Sequence, residues 1–408
     1  MMILLTCTWA ISHAQVNLVL NPSFEQYSEC PEAFDQIRFV THWDGIDTTY
    51  HLSDSVYYDP LCLPEYCNVC SNPSLGYASV PFNGDFYQNP RTGNGLAEMR
   101  MYDDTLITRD PRDIRDYLQG KLCTQLEAGT AYCVTIYVNL NECSSYGIDK
   151  IGTYLDDGSI DKLQDSFGCA KPQTNYVPQI YSRTIINDTE NWVMIQGAFI
   201  ATGTEKFITI GNFFSHSNID IESTGRGGGY SFYLIDDVSV MPSNSVAAAG
   251  PDAYVSPGSD SAWIGPHEEA WPCKWRIAGD TTVISVYTGF KVHPDTTTRY
   301  VMELDLCDNV TFDTVVVYVA PAGVPFDRLT MTQINIFPNP TSGVFTVEHA
   351  KGTTIVVYDV YGSARLIRTI TDDKELIDIS SLANGVYSVV IKDPQTKERT
   401  MQMLIKAR

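Results

Sequence analysis

Short runs of β-branched and aromatic residues, bounded by turn residues, recur along almost the whole chain. Clear examples are residues 131–138, 191–200, 230–240 and 314–319, and the 3.6-residue periodicity of amphipathic helices is nearly absent. Apolar residues make up 44% of the 408 residues and charged residues 19%, the balance of ordinary globular domains. The sequence therefore predicts an all-β fold, most simply a series of tandem β-sandwiches.

The chain is acidic, with a formal net charge of −22. Nucleic acids and anionic membranes bind basic surfaces, so neither is expected as a partner. Residues 1–14 are apolar and end in small residues, which indicates a signal peptide cleaved before Gln15. After them, no stretch is long and apolar enough to predict a membrane span.

Residues 334–408 have a distinct order of motifs. Pro338-Asn339-Pro340 holds the backbone extended, and a Ser-Gly turn ending at Gly343 follows. Short β-runs continue from there, with Ile-Asp-Ile-Ser-Ser-Leu before the Gly-Val-Tyr at 385–387. The segment closes on a basic Lys-Ala-Arg. The pattern predicts a small β-sandwich.

This order of motifs resembles the C-terminal sorting domain of the Bacteroidetes type IX secretion system. The resemblance implies an immunoglobulin-like sandwich that an outer-membrane translocon reads and a sortase removes, so that the cargo is secreted or held at the cell surface. An ordinary immunoglobulin-like terminal domain is the alternative. The resemblance places the sorting signal at Pro338, Asn339, Pro340, Gly343, Gly362, Gly385, Tyr387, Lys406 and Arg408.

Residues 15–242 begin near Asn-Pro-Ser-Phe-Glu, at 21–25, and end near Ile-Asp-Asp-Val-Ser, at 235–239. These two motifs resemble those of the galactose-binding-like jelly roll found in many carbohydrate-binding modules. The resemblance implies adjacent first and last strands, core tryptophans at Trp43 and Trp192, a structural Ca²⁺ and a glycan ligand. Residues 54–95, rich in proline and cysteine, resemble an insertion into that fold.

The calcium prediction concerns the last strand of this jelly roll. Asp236 shares one strand face with Leu234 and Val238, so its carboxylate needs a cation or several hydrogen-bond donors. Calcium takes six to eight oxygen ligands in such places. Glu25 and Asp236, then Asp237, are the predicted ligands. The alternative is that backbone N–H groups of the glycine-rich loop 225–229 satisfy Asp236.

Sugar binding depends on exposed aromatic faces and a few polar groups. The candidate aromatic residues lie in the insertion and are Tyr77, Phe82, Phe86 and Tyr87.

The sequence contains no zinc-protease helix, nucleophile elbow or phosphate loop. The leading prediction is therefore a non-catalytic binding protein for a glycan or another surface polymer. One alternative is a glycan hydrolase with a carboxylate pair in the first domain. A purely structural envelope protein is the other. The acids to inspect for a hydrolase are Asp44, Asp47, Asp85 and Glu98.

Residues 247–321 resemble an immunoglobulin-like or polycystic-kidney-disease-like spacer, followed by a linker at 322–333. The resemblance implies a disulfide between Cys273 and Cys307 and a core position for Trp275.

Apart from Cys7, ten of the eleven cysteines remain in the mature chain, an even number that favours disulfides in an oxidising compartment. The Cys62-x4-Cys67-x2-Cys70 spacing leaves an iron–sulfur or zinc site as the alternative. The pairing stays open for Cys30, Cys62, Cys67, Cys70, Cys123, Cys133, Cys143 and Cys169.

Overall fold

The structure, a computed structural model, describes most of the chain. The described residues are 17–46, 63–76, 78–105, 113–160, 172–256, 261–267, 270–319, 335–359, 363–392 and 399–407. Three short 3-10 helices lie at Ile37–Phe39, Pro73–Leu75 and His216–Asn218. The strands are β1 (Trp43–Gly45), β2 (Glu65–Asn68), β3 (Gly95–Asp103), β4 (Leu118–Lys121), β5 (Ala131–Leu140), β6 (Tyr146–Ile148), β7 (Ile151–Asp156), β8 (Ile180–Tyr181), β9 (Val193–Ile200), β10 (Phe207–Asn212), β11 (Ile221–Ser223), β12 (Tyr230–Pro242), β13 (Ala253–Val255), β14 (Ala262–Ile264), β15 (Cys273–Ile277), β16 (Phe290–Val292), β17 (Thr298–Leu306), β18 (Asn309–Val319), β19 (Asn335–Phe337), β20 (Val344–Glu348), β21 (Thr354–Tyr358), β22 (Ala364–Thr369), β23 (Lys374–Asp378), β24 (Gly385–Lys392) and β25 (Arg399–Lys406).

The front of the chain is a sandwich of two five-stranded antiparallel sheets. The first sheet has the order β1-β4-β10-β7-β8 and the second sheet has the order β2-β3-β12-β5-β9. Alternate residues of each strand point inward and form one core, with Trp43 and Ile208 from the first sheet and Met99 and Val134 from the second. The all-β prediction is confirmed.

The two ends of this sandwich are hydrogen-bonded to each other, as the resemblance implies. Leu18 N donates to Val240 O at 2.9 Å, and the Asn17 side chain donates to Val238 O at 2.9 Å. Residues 17–25 do not form the regular first strand that the resemblance implies. Val19 instead pairs with Leu122 as an isolated bridge.

The predicted jelly roll and most of the predicted spacer lie in one compact unit. This unit runs up to Ala253 and continues over Ser261–Val317, and the second unit comprises Tyr254–Asp260 and Tyr318–Arg408. The spacer strands form a sheet of order β13-β18-β17-β15 and a two-stranded sheet, β14-β16. Trp275 is buried between them, as predicted.

The predicted Cys273–Cys307 disulfide is wrong. Cys307 bonds Cys133 of β5, and Cys273 is a buried thiol on β15. Cys273 lies across from Leu304, whereas Cys307 lies in the turn after β17 with a positive φ. That turn meets the outward side of the second sheet, so the bond joins spacer and jelly roll instead of closing within the spacer.

The outward side of the second sheet is covered at both ends. Gln196 of β9 donates to Asp305 O at 2.9 Å and accepts from Cys307 N at 2.9 Å, beside the disulfide. At the β2–β3 end, the insertion buries an apolar cluster against the sheet. The cluster consists of Cys67, Val80, Phe86, Leu96 and Leu234, with Trp192 packed against it.

The C-terminal unit is a smaller sandwich. Its sheets have the orders β19-β20-β23 and β22-β21-β24-β25, and its core includes Phe345, Val357, Ile377 and Leu404. Among the described residues of the whole chain, no helix has the length and hydropathy of a membrane span.

Candidate functional site

The three predicted calcium ligands are held by the loop of residues 90–95. Asp236 accepts hydrogen bonds from Arg91 N at 2.7 Å, Thr92 N at 3.2 Å and Asp237 N at 2.7 Å. Burial, followed by the neighbouring charge of Asp237, raises the pKa of Asp236 well above its usual range. Backbone donors therefore satisfy Asp236, but they come from this loop and not from the predicted glycine-rich loop.

Asp237 and Glu25 also have their own donors. The Ser23 and Thr92 hydroxyls donate to Asp237 Oδ1, each at 2.6 Å, and the Arg91 guanidinium pairs with Asp237 Oδ2. Glu25 accepts from the N–H groups of residues 94 and 95 at 2.7 and 2.8 Å. A Cβ on Gly93 would lie 2.3 Å from the Glu25 carboxyl carbon, so glycine is required there.

These carboxylates do not fit the predicted calcium site. A divalent cation bound by Asp237 would lie beside the Arg91 guanidinium, whose Cζ stacks 3.5 Å from the Tyr137 ring centroid. Arg91 and Asp237 are both nearly inaccessible, so the fold already places an internal cation against this carboxylate. Within the described ranges, no group of three or more His, Cys, Asp or Glu side chains is arranged to hold a metal ion.

The predicted ligand-binding aromatic residues fall into two groups. Phe82 and Tyr87 form an antiparallel bridge and are 54% and 59% exposed. Phe86 is 2% exposed, so its prediction as a surface residue is wrong; it packs into the apolar cluster under the insertion. Tyr77 lies outside the described residues.

The acids proposed for a hydrolase are divided between the two sheets. Asp44 belongs to the first sheet and Glu98 to the second, while Asp47 lies outside the described residues. Glu98 is buried opposite Glu65, and burial raises the pKa of Glu98 to about 8. Asp85 lies near Glu98, and its charge contributes to the raised pKa of Glu98. Asn141 donates to the Glu98 carboxyl at 2.5 Å. Glu98 is therefore an interior side chain whose carboxyl group has a hydrogen-bond donor within the fold.

Cysteine pairing bears on the metal alternative at the insertion. Cys70 bonds Cys30, which confirms a disulfide for one member of the Cys-x4-Cys-x2-Cys run. Cys67 is a buried thiol whose pKa is raised well above the usual range by burial. Cys62 lies outside the described residues.

The outward side of the first sheet has a polar row that the sequence did not reveal. Neighbouring strands place its members directly across from one another: Asp44 of β1, Gln119 of β4, Thr209 of β10 and Tyr154 of β7. Core residues such as Leu118 and Ile208 alternate with them, so the row faces away from the core. Gln119 Nε2 donates to Thr209 Oγ1 at 3.2 Å, and Tyr176 packs against the Tyr154 end.

At the Asp44 end this row opens into a groove of about 420 Å³. The groove is lined by Lys121 at the end of β4 and by Phe207 at the start of β10, which lie across from each other. It is also lined by Arg38 and His42, which precede β1 in the chain. Phe207 is half-buried, and a Cβ on Gly158 would lie 2.8 Å from its ring. The groove therefore combines a supported aromatic ring with amide, carboxylate and cationic groups, the chemistry of polar ligand sites.

The sorting-signal residues of the C-terminal unit converge on the last strand. Ile405 N donates to Asn339 Oδ1 and Ala407 N donates to Thr341 O, each at 2.9 Å. Lys406 is buried, and its ammonium donates to Ser380 O at 2.8 Å and to Leu382 O. Asn339 and Thr341 thus hold the last strand, β25, in place.

Two other signal residues fix the loop that receives Lys406. Ile379 N donates to Gly343 O at 2.7 Å, and a Cβ on Gly343 would lie 3.0 Å from Ser380 Cα. Tyr387 OH donates to Ala383 O at 2.7 Å. Pro338 and Pro340 are exposed, and Gly385 pairs with Lys406 across β24 and β25. Gly362 and Arg408 lie outside the described residues.

Residues 335–406 match the family model described as a secretion system C-terminal sorting domain. The chain ends in a sorting domain. It is therefore a type IX secretion cargo, secreted or displayed at the cell surface, and the secretion machinery is its partner during export. No curated protein matches the sequence.

Solved structures show only distant likenesses. The CBM22-1 xylan-binding domain of Paenibacillus barcinonensis Xyn10C is 12% identical, with 56% of this chain and 97% of that chain covered and a TM-score of 0.26. The K3 adhesin domain of Lys-gingipain from Porphyromonas gingivalis is 13% identical, covering 56% and 99%, with a TM-score of 0.24. PorZ of Porphyromonas gingivalis is 15% identical, covering 26% of this chain and 15% of that chain, with a TM-score of 0.17. TM-scores of this size do not establish a shared ligand or activity.

Lys406→Met is expected to destabilise the sorting domain. Methionine cannot donate to the two backbone carbonyls that accept hydrogen bonds from the Lys406 ammonium. Losing this charged donor costs about 2–4 kcal/mol and lowers the melting temperature by about 10 °C or more. Calorimetry of the full chain measures the shift in the sorting-domain transition. Lys351→Met, at an exposed turn, is the control and should change little. An unchanged transition in Lys406→Met would contradict the structural role of this ammonium.

Proposed function

We propose that this protein is a non-catalytic glycan-binding protein of the cell exterior, and that the groove on the first sheet is its binding site. The observation that supports this most is that Phe207 lines the same groove as the polar groups of Asp44 and Gln119. An aromatic ring packs on the apolar face of a sugar, and amide or carboxylate groups bind its hydroxyls.

The arrangement of the two sheets favours the same site. Each sheet of a sandwich has one outward side on which a long polymer chain can lie. The insertion and the spacer cover parts of that side on the second sheet. On the first sheet, Arg38, His42 and Lys121 line the groove and are exposed, which gives an extended ligand access from solvent.

Affinity electrophoresis of the full chain through gels containing single polysaccharides tests this proposal. Wild type should be retarded by at least one polysaccharide, and Phe207→Ala should weaken retardation about tenfold, because a buried aromatic contact contributes roughly 1.4 kcal/mol or more. Phe312→Ala removes a phenylalanine that is 62% exposed on the spacer and serves as the control.

Two outcomes would count against the proposal. Equal retardation of wild type and Phe207→Ala would move the site away from the groove, with Phe82→Ala and Tyr87→Ala then testing the exposed pair on the insertion. Release of reducing sugar ends during incubation would support the hydrolase alternative instead.

A further inference from the structure

The charges in the groove differ from those of the rest of the chain. Acidic residues number 49 and Lys plus Arg 27 in the whole sequence. In the groove, Arg38, Lys121 and the imidazole of His42 accompany a single acid, Asp44. The local charge is thus positive on a strongly acidic protein.

The two permanent cations of the groove are not neutralised by carboxylates of the described residues. Neither Arg38 nor Lys121 lies within ion-pair distance of a carboxylate among the residues that the structure describes, and both are exposed. Arg38 donates one hydrogen bond to a backbone carbonyl, that of residue 35, at 3.2 Å. By contrast, the buried Arg91 and Arg115 are both paired with aspartates.

Regular structure fixes the backbone that carries these cations. Lys121 ends β4, where its N–H donates to His42 O at 3.1 Å and Gly120 pairs with Trp43. Arg38 follows Ile37, which is buried in the core. The cations therefore come from different elements whose positions the sandwich core sets.

From these observations we infer that the groove binds an anionic polysaccharide, with Lys121 and Arg38 contacting its carboxylate or sulfate groups while Phe207 packs on a sugar ring. The inference rests on the proposed glycan-binding function and adds the charge class of the ligand. Charged hydrogen bonds from Arg and Lys to such oxyanions are stronger than neutral ones. The net charge of −22 does not oppose this, because salt screens distant charges beyond about 8 Å at physiological ionic strength.

Three polysaccharides presented to the full chain separate the sources of the charge: polygalacturonate carries carboxylates, dextran sulfate carries sulfates, and dextran is neutral. Wild type should bind one of the two anionic polymers and bind dextran at least tenfold more weakly. The Arg38→Gln/Lys121→Gln variant should lose about tenfold or more of the affinity for the anionic polymer. Lys206→Gln, exposed next to Phe207 but outside the groove, should retain it.

The outcomes distinguish this inference from the proposed function. Tight binding of dextran, with no loss in the double variant, would overturn the anionic ligand and leave glycan binding intact. Retention of no polysaccharide at all, in this set or in the wider panel, would overturn both. An equal loss in Lys206→Gln would show non-specific charge attraction and overturn the role of the groove.

Discussion

Replacing both Cys133 and Cys307 with alanine is expected to lower the melting temperature of the first unit by about 10 °C or more. The bond joins residues 174 positions apart, so breaking it releases a long loop in the unfolded chain. The chain-entropy relation for such a loop gives about 5 kcal/mol. The spacer also loses its covalent link to β5, beside which the hydrogen bonds of Gln196 remain.

Calorimetry of the full chain measures this change. Cys143→Ser alters an exposed thiol and should leave the free energy of unfolding within about 0.5 kcal/mol, which controls for the loss of a cysteine. Peptide mapping without reduction should yield a linked peptide with Cys133 and Cys307. A peptide linking Cys273 to Cys307 instead, or an unchanged melting temperature in the double variant, would contradict the structure.

Arg91→Met is expected to destabilise the first unit by about 3–5 kcal/mol, because it leaves the Asp237 carboxylate buried without its cation. The loop of residues 90–95 also loses the stacking of Arg91 on Tyr137. The Arg91→Met/Asp237→Asn variant removes both charges and should recover much of the loss. Thermal unfolding of wild type, the two single variants and the double variant measures the coupling between the two side chains.

The same measurement tests the calcium prediction. Arg299→Met, exposed on β17, is the control for removing an arginine and should have little effect. Because Arg91 supplies the cation, a chelator should leave the melting temperature of the wild-type protein unchanged. A fall on chelation that added Ca²⁺ reverses would contradict this account, since a cation that binds the folded state stabilises it.

The fold class and the sorting domain were predictable because their signals are local. Short β-runs bounded by turn residues indicate strands wherever they occur, and the motifs from Pro338 to Lys406 lie within one compact segment. The resemblance of residues 247–321 to an immunoglobulin-like spacer also implied the core position of Trp275, which is buried. None of these predictions needed the distance between remote parts of the chain.

The predictions that failed depend on such distances. The partner of Cys307 lies in another sandwich, and sequence spacing gives no information on how the spacer meets β5. Asp236 was predicted to bind a cation or the N–H groups of the glycine-rich loop, but two of its three donors are the N–H groups of residues 91 and 92, which lie 145 and 144 positions away. Phe86 alternates with exposed neighbours in a loop whose packing the sequence does not reveal.

The groove escaped prediction for a similar reason. Asp44, Gln119 and Phe207 come from three strands that are remote in sequence, and cross-strand register brings them together. One signal was present, because Gln119 and Lys121 alternate with Leu118 and Gly120 and so indicate a polar strand face. That alternation predicts an outward face without identifying the strands beside it.

The central claim is that the sorting domain delivers the first unit to the cell exterior, where its groove meets polysaccharide. Peptide mass spectrometry of the protein recovered from the culture medium and from the cell surface tests this most directly. We expect the first unit in one or both fractions, with its disulfides formed and peptides from 335–406 depleted. Full-length protein confined to the cytoplasm, with reduced cysteines and an intact C-terminal unit, would contradict the account.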